Sequence, residues 1–454
     1  MNTERIEAAL RTATDTADVV IGAGGLSSVD EMFSRNFGDQ PAVVVADENT
    51  FKVAGNEVQQ QFEAAGRRTV DPYIFPGRPT LHGEYPHIEK LRDSLRTHDA
   101  VPVAVGSGSL NDIVKRASYE CQRRYMTVGT AASMDGYTAF GAAITKDGYK
   151  QTMTCPAPRA VLADLNVMRS APSKMTSSGY ADLLGKVTAG ADWLVADALE
   201  VEKVNAPVWS LVQGPLREAT GRPAELHAGD EQALDSLIEG LIMSGLAMQA
   251  AASSRPASGA EHQFSHLWEM EGLGYHDEPP LSHGFKVGLG SIAIAALYEQ
   301  VLQRDLSNLD VEALRRAWPS WEEVEQAVRA AHRTPGLDQA AIVESRTKYI
   351  TADKLAERLQ LLRERWPELR QRLQEQLLTA DQLRQMLGAA GCPTHPSDIG
   401  LSLSDFKDTY QRSRMIRRRY TVLDLANETG ILDECIDEMF AVGGFWARDP
   451  AARV

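Results

Sequence analysis

Thiols are scarce in this sequence. Its 454 residues hold four cysteines, Cys121, Cys155, Cys392 and Cys435, with no C-x-x-C pair among them. That spacing excludes a zinc ribbon and a disulfide framework as the organising device. Positive charge is also in deficit, with 47 Lys and Arg against 62 Asp and Glu and a formal net charge of −15. A phosphate-neutralising surface needs the opposite balance, so nucleic acid is not an expected partner. No run of 18 apolar residues occurs, and the first twenty residues are polar and helix-like, without an apolar core or cleavage signal. The expectation is a cytoplasmic protein that is not membrane-inserted.

What is present divides into two textures. Short apolar, β-branched runs at 19–24, 42–47, 69–75, 100–109, 125–130 and 160–165 alternate with helical patterns such as 52–66 and 87–97. Continuous runs of this kind suit strands buried on both faces of a parallel sheet, which predicts a Rossmann-like α/β domain over 1–170. Asp147–Gly148 reads as a hairpin turn. From about Ser173 helical patterns follow one another (178–200, 229–253, 259–270, 286–303, 310–317, 321–333), predicting an all-helical domain over 171–454. The cleft between the two is the default place for a ligand. The charged stretch 352–389 carries Leu at helical spacing and an interrupting Pro367, and reads as an amphipathic surface helix pair or a partner-binding coiled coil.

Chemistry concentrates in Ser254–Gly290, where three candidate ligands among the chain's 10 histidines, His262, His266 and His283, fall within 22 residues. His262 and His266 stand four apart, on one helical face, and His283 returns after Pro279–Pro280. Two imidazoles from separate segments leave room for a carboxylate and an open position, the ligand economy of a catalytic metal site. Asp182 is the candidate carboxylate; it also stands four residues before Lys186, where an ordinary helical ion pair is the alternative. Small neighbours (Gly179, Ala181, Gly185, Ala189, Gly190) allow another backbone or a ligand to approach closely. GSGSLND (106–112) follows a predicted strand and opens a helix, so its backbone amides suit a pyrophosphate, although Asn111 stands where the dinucleotide fingerprint has its third glycine. GAGG (22–25) misses the fingerprint as well, and GYADLLGKV lacks the spacing of a P-loop. Asp47, at the end of the second strand, is placed either for a ribose diol or as a helix N-cap.

Taken in order, GSGSLND, TAASMDGYT (130–138), GYADLLGK, SRPASGAEHQFSHLWEM and SHGFKVGLG resemble the sn-glycerol-1-phosphate dehydrogenases, in their bacterial form, within the dehydroquinate-synthase-like and iron-containing alcohol dehydrogenase superfamily. IRRRYTVLDLA (416–426) resembles the C-terminal segment of those enzymes. The resemblance implies a dehydroquinate-synthase-like fold and a metal-dependent, reversible reduction of dihydroxyacetone phosphate to sn-glycerol 1-phosphate. NAD or NADP would serve as redox cofactor, with one divalent ion (zinc, nickel or iron) and a small phosphorylated three-carbon substrate. It implies metal ligation by Asp182, His262 and His283, substrate contacts from Asp135, Asp182 and His266, and catalytic roles for His266, Asp182 and Lys186. Nucleotide contacts would fall on Asp47, on Gly108, Ser109, Leu110, Asn111 and Asp112, and on Thr130, Ala131, Ala132 and Ser133. Ala139 departs from the family, whose members often carry Ser there, and the Thr138 hydroxyl is the candidate substitute. Lys186, Arg255 and Lys286 are candidates for the substrate phosphate, and a homodimer or larger homo-oligomer is expected. Two other readings stand beside it: a superfamily dehydrogenase acting on glycerol or another polyol phosphate, and a catalytically dead helical interaction module.

Overall fold

The computed structural model describes residues 3–448. Eight strands form early in the chain: β1 (Asp18–Gly22), β2 (Ala42–Asp47), β3 (Thr69–Phe75), β4 (Val101–Gly106), β5 (Met126–Gly129), β6 (Ala142–Lys146), β7 (Tyr149–Met153) and β8 (Ala160–Asp164). Six of them make one sheet in the order β1-β8-β5-β4-β2-β3, parallel throughout, and β6–β7 is a separate antiparallel hairpin. The hairpin turns at Asp147 and Gly148, with φ of 53° and 77°, the left-handed pair that an Asp-Gly turn supplies. Period-two geometry sends Val43, Val45 and Ala104 to one face of the sheet and Val44, Ala46, Val103 and Val105 to the other. One face packs on Met32 and Phe33 of helix Val29–Phe37 and on Val58 and Phe62 of helix Asn56–Ala64. The other packs on Ile88 and Leu91 of helix Tyr85–Leu95 and on Ile113 and Val114 of helix Gly108–Glu120. Burial on both faces explains why the central strands read as unbroken apolar runs.

Among the described residues no strand follows Asp164. The chain divides into two compact units that take turns along it: Met1–Leu183, Pro207–Ala257 and His276–Gly284 in the first, Leu184–Ala206, Ser258–Tyr275 and Phe285–Val454 in the second. The sheet lies wholly in the first unit, joined there by helix Glu231–Ala251, whose Glu239 takes an ion pair from Arg5 of the first helix at 2.8 Å. The second unit is helical. Phe264 and Trp268 of helix Ala260–Met270 pack into an aromatic cluster with Phe406 and Tyr410 of helix Leu403–Met415, and the Trp268 indole N–H donates to Thr409 at 3.1 Å.

Several helices differ from the sequence expectation. The stretch 178–200 is two helices, Ser173–Leu184 and Lys186–Ala198, parted at Gly185. Residues 352–376 form one helix that runs through Pro367, with Leu355, Leu359, Leu362, Trp366, Leu369 and Leu373 all buried in the second unit. Its apolar stripe is therefore core. Burial of six large side chains outweighs the roughly 3 kcal/mol that an interior proline costs a helix. The helix from His283 to Leu302 is long and apolar enough to cross a membrane, but 83% of its apolar stretch is buried inside the protein, as in a core helix.

Candidate active site

Parallel strands deliver their carboxyl ends to one edge. The strand order changes direction between β2 and β4, which are neighbours while β3 lies beyond β2, so a crevice opens above their ends. Asp47 ends β2, Gly106 ends β4, and Thr130 follows β5 with its amide bonded to the Gly106 carbonyl at 3.1 Å. The three stretches expected to hold a nucleotide thus share one edge of the first unit. The amides of Gly108, Ser109 and Leu110 form the first turn of helix Gly108–Glu120, where helices carry N–H groups without intrahelical partners. The glycines here also serve packing: a Cβ on Gly106 would stand 2.3 Å from a Leu110 methyl, and one on Gly129 would stand 2.7 Å from the Met168 methyl.

Side chains at this edge are mostly committed elsewhere. Leu110 and Asn111 are buried, and the Asn111 amide spans the Gly136 carbonyl at 3.2 Å and the Tyr125 hydroxyl at 3.0 Å. Asp112 meets Lys115 at 3.2 Å and accepts the Ala143 amide at 3.1 Å. Asp47 caps helix Glu48–Thr50, one carboxylate oxygen accepting the amides of Asn49 at 2.8 Å and Thr50 at 3.0 Å. Lys115, which the sequence did not single out, is a loop clamp. Its fully buried ammonium donates to the carbonyls of Gly136, Ala139 and Gly141 at 3.2, 3.1 and 2.8 Å.

Asp182 and His283 belong to the first unit, and close backbone packing brings them together. Gly284 lies so near helix Ser173–Leu184 that a Cβ on it would be 1.9 Å from the Ser178 carbonyl oxygen. Ser178 and Asp182 are four apart on that helix, so seating Gly284 on the first brings its neighbour His283 to the second. A carboxylate oxygen of Asp182 and a ring nitrogen of His283 lie within 4.8 Å, close enough for both to reach one divalent ion. Gly179 does the same for the loop after β5, since a Cβ there would be 2.0 Å from the Ala132 carbonyl oxygen. The Ser178 hydroxyl donates to the Ser133 carbonyl at 3.1 Å, the Asp135 amide donates to Asp182 at 3.1 Å, and the Ser244 hydroxyl donates to the Asp135 carboxylate at 2.8 Å. Thr138 is no substitute for the missing serine: its hydroxyl is fully buried and donates to the Ile242 carbonyl at 2.8 Å. A bare Gly245 leaves it the space, because a Cβ there would be 2.1 Å from that hydroxyl.

His262 and His266 belong to the second unit, on one face of helix Ala260–Met270 with ring centroids 6.0 Å apart. His262 Nδ1 lies 2.8 Å from the Glu261 carboxylate, and His266 Nδ1 lies 3.3 Å from that of Glu269. Burial pushes the Glu261 carboxyl up, but its hydrogen bond and charge contact with His262 and the Gly259 amide outweigh that and hold it below the ordinary range. Nearby Asp192 is also fully buried and is pushed up to about 7, first by desolvation and then by the charge of Glu261. Neither carboxylate was singled out in the sequence; Glu261 stands directly before His262 in GAEHQFSH, whereas Asp192 has no local motif. Lys186 and Lys286 are buried in the second unit and Arg255 in the first, so all three phosphate candidates are interior cations. Asp182 and Lys186 stand on different helices, parted at Gly185, rather than four apart along one.

Residues 20–172 match the iron-containing alcohol dehydrogenase family. Glycerol-1-phosphate dehydrogenase [NAD(P)+] of Halalkalibacterium halodurans is 36% identical over 270 residues, 59% of this chain and 67% of that protein. The enzyme of the same name from Bacillus velezensis is 29% identical over 429 residues, 94% of this chain and 95% of its own length. An archaeal counterpart from Pyrococcus abyssi is 33% identical over 285 residues, 62% of this chain and 78% of that protein. Among solved structures, glycerol dehydrogenase from Schizosaccharomyces pombe shares the fold at a TM-score of 0.59 and 15% identity, covering 95% of this chain and 92% of that one. The chain belongs to the glycerol-1-phosphate dehydrogenases of the iron-containing alcohol dehydrogenase family.

Proposed function

We propose that this protein catalyses the reversible, NAD(P)H-linked reduction of dihydroxyacetone phosphate to sn-glycerol 1-phosphate, with one divalent cation held by Asp182, His262 and His283. The observation that carries the reading is the seating of Gly284 on Ser178, which sets the Asp182 carboxylate and the His283 imidazole at a shared-ligand spacing. The donor set fits the group: one carboxylate and two neutral imidazoles suit zinc, nickel or iron and leave net positive charge on the ion. Bound there, the cation supplies Lewis-acid polarisation of the substrate carbonyl, and the nicotinamide supplies the hydride.

The chain's own residues do the rest. The amides of Gly108, Ser109 and Leu110 receive the pyrophosphate, together with the backbone of Thr130, Ala131, Ala132 and Ser133. Asn111 and Asp112 shape that turn from within, and the Asp47 carboxylate oxygen not used in the cap faces the ribose. Asp135, steadied by Ser244, accepts a substrate hydroxyl. His266, oriented by Glu269, holds and releases the proton that the product oxygen requires. Lys186, Arg255 and Lys286 are the candidate cations for the substrate phosphate in a chain of net charge −15. The enzyme works in the cytoplasm as a homodimer or larger homo-oligomer.

The test is oxidation of NADH and NADPH with dihydroxyacetone phosphate, run with and without a chelator and beside unphosphorylated dihydroxyacetone. Chelator-sensitive turnover that needs the phosphate is expected, and equal turnover of the unphosphorylated ketone would move the assignment to a glycerol-type dehydrogenase. His262→Ala should lose bound metal and turnover together; a metal-free variant at full speed would refute the ligand set.

A further inference from the structure

Beyond the ligand set itself, and resting on the reading of His262 as a cation ligand, we propose that Glu261 is the positioning residue of the His262 ring. The carboxylate fixes the imidazole with its proton on Nδ1 and so presents Nε2 as the ligand atom before any cation arrives.

Adjacent residues on a helix point about 100° apart and do not normally meet. Here Glu261 Oε1 nonetheless lies 2.8 Å from His262 Nδ1. The carboxylate cannot swing away, because Oε1 also accepts the Gly259 amide at 2.6 Å and Oε2 accepts the Thr188 hydroxyl at 2.9 Å. Its backbone is pinned too: a Cβ on Gly290 would be 2.6 Å from the Glu261 carbonyl oxygen, and one on Gly259 would be 2.8 Å from Glu261 Oε2 and 2.6 Å from Asp192 Oδ2. Asp192 anchors the start of the same helix, accepting the Ala260 amide at 2.7 Å, the Val422 amide at 2.8 Å and the Tyr298 hydroxyl at 2.6 Å. An ionised carboxylate is acceptor-only, so the ring nitrogen that faces it carries the hydrogen and the other keeps its lone pair. A wholly buried carboxylate is costly unless it is hydrogen-bonded. Two crowded glycines and six donors on this pair of acids, the His262 ring among them, are the construction that makes the arrangement stable.

The experiment compares the wild-type enzyme with Glu261→Ala, Glu261→Gln and His262→Ala, reading zinc affinity by chelator competition and the absorption spectrum of the cobalt-loaded protein. Glu261→Ala should weaken zinc binding about 10- to 100-fold and alter the cobalt spectrum. Glu261→Gln keeps an oxygen toward Nδ1 and turns its amide to Thr188, whose hydroxyl still reaches the Gly185 carbonyl at 3.0 Å. That conservative variant should bind zinc within a few-fold of wild type. An alanine variant with wild-type affinity, or a glutamine variant as weak as the alanine one, would overturn the proposal. Should Glu261→Ala not fold, the 15N shifts of the imidazoles in the metal-free wild-type enzyme decide: the Nδ1–H form of His262 supports positioning, and a dominant Nε2–H form overturns it. Wild-type affinity in His262→Ala would instead sink the metal-site reading, whereas loss there without loss in Glu261→Ala sinks only the inference.

Discussion

The two units set their metal-ligand candidates by different means. In the first, Asp182 and His283 approach because side chains are missing: Gly284 rests on Ser178 and Gly179 rests on Ala132, with no room for a methyl group at either contact. In the second, His262 is set by charge and hydrogen bonds, with Glu261 against its ring and Asp192 at the start of its helix. A steric device is rigid and indifferent to pH. A device made of buried carboxylates tunes the ring's electronics, but makes the fold's stability depend on pH.

The harshest way to break this contrast is Gly284→Ala. In an exposed helix that change would stabilise by about 1 kcal/mol; here overpacking should reverse the sign, costing about 1–3 kcal/mol and separating Asp182 from His283. Bound metal and activity should be all but lost, as metal analysis and thermal unfolding would report. A stabler variant at full metal content would refute the steric account.

Next in size is the pH response of the second device. Asp192 is pushed up to about 7, so the folded protein keeps a proton there that the unfolded chain releases near its ordinary value of about 4. Its contribution to stability is complete below that ordinary value and is lost as the pH rises through about 7. Urea midpoints of the metal-free protein should therefore fall across this window, and Asp192→Asn should flatten the fall. An unchanged slope in the variant would remove Asp192 as its source.

Smaller effects sharpen the first unit's side. Ser244→Ala removes the hydroxyl that steadies Asp135 and should raise KM for the triose phosphate several-fold, about 1 kcal/mol, with kcat nearly unchanged. The smallest is Asp47→Ser. Serine caps a helix about as well as aspartate, so stability should hold, while loss of the charge should shift preference toward NADPH. Unchanged cofactor preference would leave Asp47 as a cap alone.

Much of this was readable in the sequence because it is written locally. The sheet came from unbroken β-branched runs such as AVVVAD, and the small residues around Asp182 foretold the close approach at Gly179. What escaped depends on distant partners. Asp192 and Glu261 stand 69 positions apart, and nothing near Asp192 announces that helix Ala260–Met270 starts on it. Thr138 looked available because the Ile242 carbonyl that takes its hydroxyl comes from a helix about a hundred positions away. Pro367 looked like a break because propensity was weighed without the six buried side chains that hold the helix together around it.

The chain changes unit five times, after Leu183, Ala206, Ala257, Tyr275 and Gly284. No single stop codon or proteolytic nick can therefore release either half as one intact piece. Anyone seeking a minimal fragment that keeps the sheet and the Asp182–His283 pair must carry the chain at least through Gly284, and a graft onto another scaffold would have to splice three separate stretches in register.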